Sequence, residues 1–367
     1  MSARTRIAII GSTGRGDYGH NLDRTWLAIP DCEIVAVADD DKAGLAAAAK
    51  RLNVRDAYTD YREMLDRAKP QIVTVCPRWV DQHLDMVVAA AERGIHVFSE
   101  KPLCRTLAEA DEMVAACERS HVKLAIALQT RYSPKLPVVQ ELIASGKLGR
   151  VLEYRGRGKE DQRGGAEDLC VLGIHLFNLI GTFSGKPAWC LASVTQKGKP
   201  ITASDIQPGN EGFARMAGDA VHAMYSGFAE GATAHFDSER LAMGKPSRFG
   251  LTIYGTQGVL EILSGYLPSV QFLPDPGWTA GRSGKKWQAV SSHGIGKPET
   301  LKDGGLDEGN VLIARDLLAA IREDRQPLAS VYDARDALEM VVAPLAAAKN
   351  GGALAMPLVN RENPWAS

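Results

Sequence analysis

Residues 7–20 read IAIIGSTGRGDYGH, and this stretch decides the first fold prediction. Its apolar start predicts a buried β-strand, and the glycine-rich segment predicts a tight turn that leads into a helix. In such a unit the first glycine permits the turn, a later glycine lets helix and strand pack closely, and the N–H groups that begin the helix face a pyrophosphate. The residues predicted to bind a dinucleotide here are Gly11, Thr13, Gly14, Arg15 and Gly16.

An acidic residue at the end of the second predicted strand supports this interpretation. Asp39 follows Gly16 by 23 residues, although Thr13 stands where the usual pattern has its middle glycine. A carboxylate at that point accepts hydrogen bonds from the adenosine ribose and repels a 2′-phosphate, so NAD is preferred over NADP. The alternative is that Asp39, Asp40 and Asp41 only cap the next helix.

Short apolar runs alternate with alanine-rich helical segments up to about residue 130. Strands are predicted at 6–11, 33–39, 72–76, 96–100 and 123–129, and helices at 41–52, 60–68, 81–93 and 106–119. Nearly continuous apolar strands separated by helices are typical of a parallel sheet covered on both faces. Residues 1–129 are therefore predicted to form a doubly wound α/β domain of the Rossmann type.

The pattern changes in residues 130–367, which predict a second, α+β domain with an open, mostly antiparallel sheet. Helices are predicted at 133–145, 168–184, 309–323 and 333–349, and strands at 151–158, 187–197, 219–228, 231–239, 248–255, 258–263 and 269–273. Glycine turns at 229–231 and 256–258 indicate antiparallel neighbours. Residues 274–309 are predicted to be a surface loop.

The composition excludes several classes of function. A formal net charge of −1 does not predict binding to nucleic acid or to an anionic membrane, and no apolar stretch predicts a membrane span. The six cysteines show no C-x-x-C spacing, which predicts reduced, mostly buried thiols in the cytoplasm. Cysteine and histidine form no metal-ligand pattern, so no metal is expected.

A second motif, Ser99-Glu100-Lys101-Pro102, ends a predicted strand. Ligands bind at the carboxyl edge of a parallel sheet, and a lysine held there beside a carboxylate can hold an alcohol oxygen and relay its proton as hydride leaves. The alternative is an ordinary surface loop.

These motifs, with a histidine-bearing helix after a Gly-Gly turn, resemble the Gfo/Idh/MocA family of oxidoreductases. Arg131-Tyr132 followed by ELIASGKLGRV, and the closing helices at 314–358, are also similar to that family. The resemblance implies hydride transfer between a nicotinamide and a secondary alcohol, or its ketone, of a sugar, cyclitol or glycoside. It also implies a homo-oligomer, a dimer or tetramer, whose open sheet often mediates the contacts.

The resemblance also assigns roles to individual residues. Lys101 matches the catalytic lysine and His175 the histidine that acts as general acid and base, while Pro77 and His83 resemble the loop that lies along the cofactor. Glu100 and Lys101 are also predicted to bind the cofactor. The loop CPRWVDQH, at 76–83, is longer than usual, which argues against a direct role for His83.

One position departs from the family pattern. Val171 stands where many relatives have an aspartate one turn before the histidine, and Asp168 is the candidate to supply that carboxylate instead. The alternative is that Asp168 caps the helix. The predicted substrate-binding set is Lys101, Arg131, Lys159, Arg163, Asp168, His175 and Asn178. His222 and His235 alternate with apolar residues and are interpreted as sheet residues.

Two other functions remain open at this point. One is cleavage of a glycoside by transient oxidation and elimination, with tightly held NAD that is regenerated. The other is a non-catalytic, dinucleotide-binding sensor, which the valine at position 171 encourages.

Overall fold

The computed structural model of the protein describes residues 4–366, and the chain divides into two compact units. The first unit contains the chain up to Gln129, together with Asn210–Phe213 and Leu306–Arg335. The second contains Thr130–Gly209, Ala214–Gly305 and the chain from Asp336 onward. The sequence interpretation had assigned everything after residue 129 to one domain.

The first unit is built on a parallel sheet of six strands. They are β1 (Thr5–Ile10), β2 (Cys32–Ala38), β3 (Asp56–Tyr58), β4 (Ile72–Val75), β5 (His96–Ser99) and β6 (Leu124–Ile126). Their order is β3-β2-β1-β4-β5-β6 and every neighbouring pair is parallel, which confirms the predicted doubly wound fold. The last four residues of β1 are at most 1% exposed, as expected of a strand covered on both faces.

Helices α1 (Lys42–Leu52), α2 (Tyr61–Ala68), α3 (His83–Ala91) and α4 (Leu107–Arg119) connect these strands. The side chains of Asp41, Asp60 and Thr106 each accept a backbone N–H at the start of α1, α2 and α4. Such caps satisfy N–H groups that have no partner inside the helix.

The helix predicted directly after the glycine-rich turn is wrong. Ser12 and Asp17 instead exchange two backbone hydrogen bonds of 3.1 and 3.0 Å, and the next helical segment is a 3₁₀ helix at Leu22–Ala28. Gly14 and Gly16 make this closed turn possible because their φ angles are 81° and 91°, which L side chains rarely adopt. The predicted row of N–H groups at a helix start is therefore not formed here.

The segment Leu306–Arg335 contributes hydrogen bonds to the first unit. The buried Asn310 accepts from the Gln129 amide at 2.7 Å and donates to the His20 carbonyl at 2.9 Å. The Ile126 N–H in β6 donates to the Ala329 carbonyl at 3.0 Å. The edge of the parallel sheet is thus completed by residues distant in sequence.

The second unit is built on an eleven-stranded sheet. Its strands are β7 (Val151–Arg157), β8 (Trp189–Gln196), β9 (Lys199–Pro200), β10 (Ala220–Ser226), β11 (Thr233–Glu239), β12 (Gly250–Gly255), β13 (Val259–Leu263), β14 (Val270–Leu273), β15 (Gln288–Ser291), β16 (Gly294–Ile295) and β17 (Leu354–Ala355). The order is β16-β15-β14-β13-β12-β7-β11-β10-β8-β17, with β9 beside β8. Among these pairs β7 and β11 run parallel and the others antiparallel, which confirms the mostly antiparallel sheet.

The remaining helices lie in the second unit, except for those parts that fall within Leu306–Arg335 of the first unit. They are α5 (Leu136–Ala144), α6 (Ala166–Asp168), α7 (Ile174–Ser184), α8 (Ala280–Ser283), α9 (Gly305–Arg322) and α10 (Val331–Asn350). Phe177 of α7 packs on Tyr225 and Phe236, with ring centroids 5.6 and 5.1 Å apart. This aromatic cluster fixes α7 to one face of the sheet.

The surface loop predicted for 274–309 is partly wrong, because this segment contains α8, β15, β16 and the start of α9. Strands as short as two residues could not be recognised in a segment so rich in Gly, Pro and Lys.

His222 and His235 lie in β10 and β11, where they were expected. All six cysteines are buried and unpaired. One stretch, Ala166–Ser184, is long and apolar enough to cross a membrane by composition, but 67% of its apolar window is buried in the fold, as in a core helix.

Candidate active site

A cavity of about 240 Å³ lies in the first unit at the carboxyl ends of β1, β2 and β3. It is lined by Ile10, Gly11, Ser12, Ala38, Asp39, Asp40, Thr59, Asp60, Tyr61, Arg62, Gln82 and Met86. Ligands of doubly wound sheets bind at this edge. Three of its lining residues carry carboxylates, Asp39, Asp40 and Asp60.

The predicted ribose ligand, Asp39, is 2% exposed and already hydrogen-bonded on both oxygens. Oδ1 accepts the N–H groups of Thr13 and Asp41 at 3.1 and 3.0 Å. Oδ2 accepts the hydroxyls of Thr13 and Tyr18 at 2.7 and 2.8 Å. Thr13, which replaces a glycine of the motif, is thus a partner of Asp39.

The glycine-rich turn packs against the loop after β4. A Cβ atom on Gly16 would lie 2.4 Å from the Arg78 nitrogen, so this glycine allows a loop, rather than the predicted helix, to approach. Arg15 forms an ion pair with Asp81 and stacks on the Trp79 ring at 4.6 Å. Gly14 has open space around the position of a Cβ, which leaves room for a ligand beside the turn.

His83 is fully buried and holds two loops together. Its Nε2 lies 2.7 Å from the Pro77 carbonyl oxygen, and its Nδ1 lies 3.1 Å from the carbonyl oxygens of Pro102 and Leu103. The ring therefore positions Pro77 and the segment after Lys101.

Lys101 directly follows β5 and is 9% exposed, and its neighbour Glu100 is fully buried. One Glu100 oxygen accepts the Lys101 N–H at 3.1 Å, and the other pairs with the imidazole of His20. Burial alone would raise the pKa of Glu100, but the hydrogen bond and charge of His20, with the charge of Lys101, outweigh burial and lower it. An ionised carboxylate thus lies beside Lys101.

In the second unit His175 belongs to α7, directly after a π-helical segment at Leu169–Gly173, and it is half-buried. Val171 lies inside the π-helical segment and is 5% exposed. Asn178 is 4% exposed, and within residues 4–366 its Oδ1 accepts no hydrogen bond. Because a π turn contains extra backbone, the α-helical spacing that puts position 171 one turn before His175 does not hold across it.

Asp168 is fully buried and directly precedes the π-helical segment, but its side chain makes no capping hydrogen bond there, so the capping alternative is wrong. Its Oδ2 accepts the Ser238 hydroxyl at 2.6 Å and the Glu160 N–H at 3.1 Å. Its Oδ1 is buried without a hydrogen-bond partner in the described part of the chain. Burial, and secondarily the charge of Asp161, raise the pKa of Asp168 against the effect of these donors.

The charged segment before α6 is internally paired. Arg163 forms hydrogen bonds of 2.7 and 3.2 Å to Asp161, and Lys159 lies 3.5 Å from the same carboxylate. The buried Glu160 accepts from Arg157 and Arg248, both at 2.7 Å. Of the predicted substrate residues, Arg131 lies in a 3₁₀ turn at Gln129–Tyr132.

Sequence reasoning missed four residues of this arrangement: Tyr18, His20, Glu160 and Ser238. His20 and Tyr18 lie in the segment that was quoted first, but neither has a spacing that marks a partner. Glu160 lies 8 residues before Asp168, whereas Ser238 lies 70 residues after it in β11, where no local sequence pattern marks it as a partner.

Known proteins resemble the chain along most of its length. A levoglucosan dehydrogenase from Pseudarthrobacter phenanthrenivorans is 26% identical over 255 residues, which cover 63% of this chain and 64% of the relative. A D-xylose 1-dehydrogenase (NADP(+)) from Haloferax volcanii is 33% identical over 138 residues, 37% of this chain and 42% of the relative. These matches span less than two thirds of each relative.

A solved structure of levoglucosan dehydrogenase, in complex with NADH and L-sorbose, shares the fold. It superposes with a TM-score of 0.77 and 21% identity, covering 96% of this chain and 99% of that chain. Two family models also match: an oxidoreductase family with an NAD-binding Rossmann fold at residues 5–128, and a GFO/IDH/MocA C-terminal domain at residues 138–261. Because the two models together match more than half of its length, the chain belongs to the Gfo/Idh/MocA family of NAD-binding oxidoreductases.

Proposed function

We propose that this protein is an NAD-dependent dehydrogenase that interconverts a secondary alcohol and its ketone on a sugar, cyclitol or glycoside. The observation that carries the proposal is the buried Lys101 beside an ionised Glu100. Both residues follow β5, at the same edge of the parallel sheet as the cavity. A buried lysine with a fixed counter-charge at this edge is typical of a reaction centre rather than a surface loop.

The proton chemistry follows from the side chains. Oxidation of a secondary alcohol releases a hydride and a proton, and a bound nicotinamide supplies the chemistry that takes the hydride. In the proposal the Lys101 ammonium donates a hydrogen bond to the alcohol oxygen, and Glu100 balances its charge. His175, half-buried at the start of α7, is assigned the removal of the hydroxyl proton, since imidazole exchanges protons near neutral pH.

Two further parts of the proposal concern the second unit. Asp168 has a buried oxygen without a partner among residues 4–366, which supports a carboxylate that contacts a substrate hydroxyl. The sugar dehydrogenases among the relatives support a polyhydroxylated substrate. Arg131, Lys159, Arg163 and Asn178 remain the proposed substrate-binding residues, although Asp161 already pairs with two of them.

The proposal extends to the cofactor and the assembly. The carboxylates at the rim of the cavity favour NAD over NADP, because a 2′-phosphate would carry two negative charges into an acidic site. The open sheet of the second unit is proposed to mediate contacts between copies in a dimer or tetramer. Six buried thiols support a cytoplasmic location. Light scattering and fractionation test the last two points.

Absorbance at the NADH band, with NAD and a panel of sugars, cyclitols and glycosides, tests the central claim. We expect turnover that falls about 10²–10³-fold in Lys101→Met, since removal of one positioned donor to the reacting oxygen costs about that factor. Lys186→Met, at a lysine of the second unit whose side chain is 66% exposed, is the matched surface control and should keep full turnover. NAD binding without turnover on any substrate, unchanged by Lys101→Met, would indicate the sensor; hydrolysis without NADH accumulation would indicate the glycoside-cleaving enzyme.

A further inference from the structure

Asp39 has no acceptor capacity left for a ribose. An ionised carboxylate offers about four lone-pair sites, and Asp39 already accepts four hydrogen bonds. Its exposed fraction is 2%, although the residue lines the cavity. A ribose hydroxyl could bind Asp39 only after one of these donors had left.

The donors that hold Asp39 are themselves fixed by packing. The Thr13 side chain lies against Gly44 of α1, where a Cβ would come within 1.8 Å of its hydroxyl oxygen. The Tyr18 ring lies on Gly11, and the Arg51 guanidinium stacks 4.7 Å from the ring centre. Burial and the hydrogen bond to Asp39 raise the pKa of Tyr18, so the hydroxyl keeps its proton and stays a donor.

The next two aspartates differ in their surroundings. The side chain of Asp41 accepts the Gly44 N–H at 2.7 Å and caps α1, so it is occupied in the helix start. Asp40 is exposed, lines the cavity and accepts one long contact of 3.5 Å from the Ser12 hydroxyl. Of the three carboxylates, Asp40 is the one that presents acceptor capacity to the cavity.

We propose that Asp40, rather than Asp39, binds the 2′- and 3′-hydroxyls of the adenosine ribose and excludes a 2′-phosphate. Asp39 then acts as a positioning residue that holds Thr13 and Tyr18 in the glycine turn. The inference rests on the proposed use of NAD and deepens it, because it names the residue that selects the cofactor.

Because Arg62 lies at the same cavity, a mutation of Asp40 could reverse the preference for NAD over NADP. Its guanidinium lines the same cavity and stacks on the Tyr61 ring at 4.6 Å. With Asp40 present, a 2′-phosphate meets a carboxylate as well as this guanidinium. Once Asp40 is removed, Arg62 is left as a cation that can pair with a phosphate.

Calorimetric titration of the substrate-free protein with NADH and with NADPH tests the inference without any turnover. We expect Asp40→Ser to weaken NADH binding about tenfold to hundredfold, the value of a charge-assisted hydrogen-bonding pair, and to strengthen NADPH binding. The added Arg62→Ser should remove the gain for NADPH.

Two control variants, one at the adjacent carboxylate Asp39 and one at its donor Tyr18, distinguish the role of Asp40 from that of Asp39. Asp39→Asn and Tyr18→Phe should lower the melting temperature, because they remove hydrogen bonds of the turn, yet leave the ratio of the two dissociation constants within about threefold of wild type. A ratio that shifts in Asp39→Asn and not in Asp40→Ser overturns the inference while NAD use stands. A wild-type protein that binds neither dinucleotide overturns the proposed function, and the inference with it.

Discussion

A glycine in α1 provides a sharp test of how the dinucleotide turn is built. Gly44 is the third residue of the helix, and replacing a helical glycine by alanine ordinarily stabilises a protein by about 1 kcal/mol. Here the new Cβ would lie 1.8 Å from the Thr13 hydroxyl oxygen and 2.6 Å from the Thr13 Cβ. Thr13 must therefore move, and its hydrogen bonds to Asp39 break.

The size of the effect follows from those two bonds. Thr13 donates to Asp39 from its N–H and its hydroxyl, at 3.1 and 2.7 Å. A hydrogen bond to a charged group contributes about 1.5–3 kcal/mol, so partial loss of the pair outweighs the gain in helix propensity. We expect Gly44→Ala to lower the free energy of unfolding by about 2 kcal/mol.

Urea denaturation followed by circular dichroism measures this change. Gly181→Ala is the matched control, because Gly181 is an exposed glycine of α7 with no atom within 4 Å of its Cβ position, and it should stabilise. Thr13→Gly removes the clash, so Gly44→Ala should become stabilising in that background. Stabilisation by Gly44→Ala in the wild-type background, equal to that of Gly181→Ala, would refute the packing of Thr13 on α1.

Three other predictions concern the second unit. Asp168→Asn should keep the fold but lower turnover at least tenfold if the carboxylate contacts substrate, whereas Ser238→Ala should lower it less; steady-state kinetics with a fluorimetric melting curve separates the two effects. Glu160→Gln should destabilise the protein by about 3 kcal/mol in urea, because it leaves two guanidinium groups without their buried counter-charge. The hydrogen bond from Arg163 lowers the pKa of Asp161 from 3.8 to about 2, so this carboxylate stabilises the fold above pH 4 and loses its effect as the pH falls towards 2. Asp161→Asn should therefore destabilise at pH 7 by up to about 2 kcal/mol and match wild type near pH 2, as urea titrations at several pH values would show.

The parallel sheet was predictable because its strands are short apolar runs, and burial on both faces requires that composition. β3 was not, since Asp56 and Ala57 are exposed and leave no apolar run to detect. Lys101 and Glu100 were found because a motif places them at a strand end. The partner of Glu100, His20, is 80 residues away, and no local pattern encodes that distance.

The second unit shows a different limit. The spacing of Asp168, Val171 and His175 was interpreted with an α-helical period, but the chain forms a π-helical turn at Leu169–Gly173. Propensity does not distinguish these two helices, since the difference is one residue in a single turn. The sequence therefore named candidate side chains around His175 but could not place them.

The return of Leu306–Arg335 to the first unit affects how this protein could be divided or recombined. A gene fragment that ends at residue 129 would encode all six parallel strands, yet Gln129 would lose Asn310 and β6 would lose the Ala329 carbonyl. The cofactor-binding half is therefore continuous as a sheet but discontinuous as a folding unit. Exchange of that half between relatives would require crossovers on each side of Leu306–Arg335 and of Asn210–Phe213, in addition to the obvious one near residue 129.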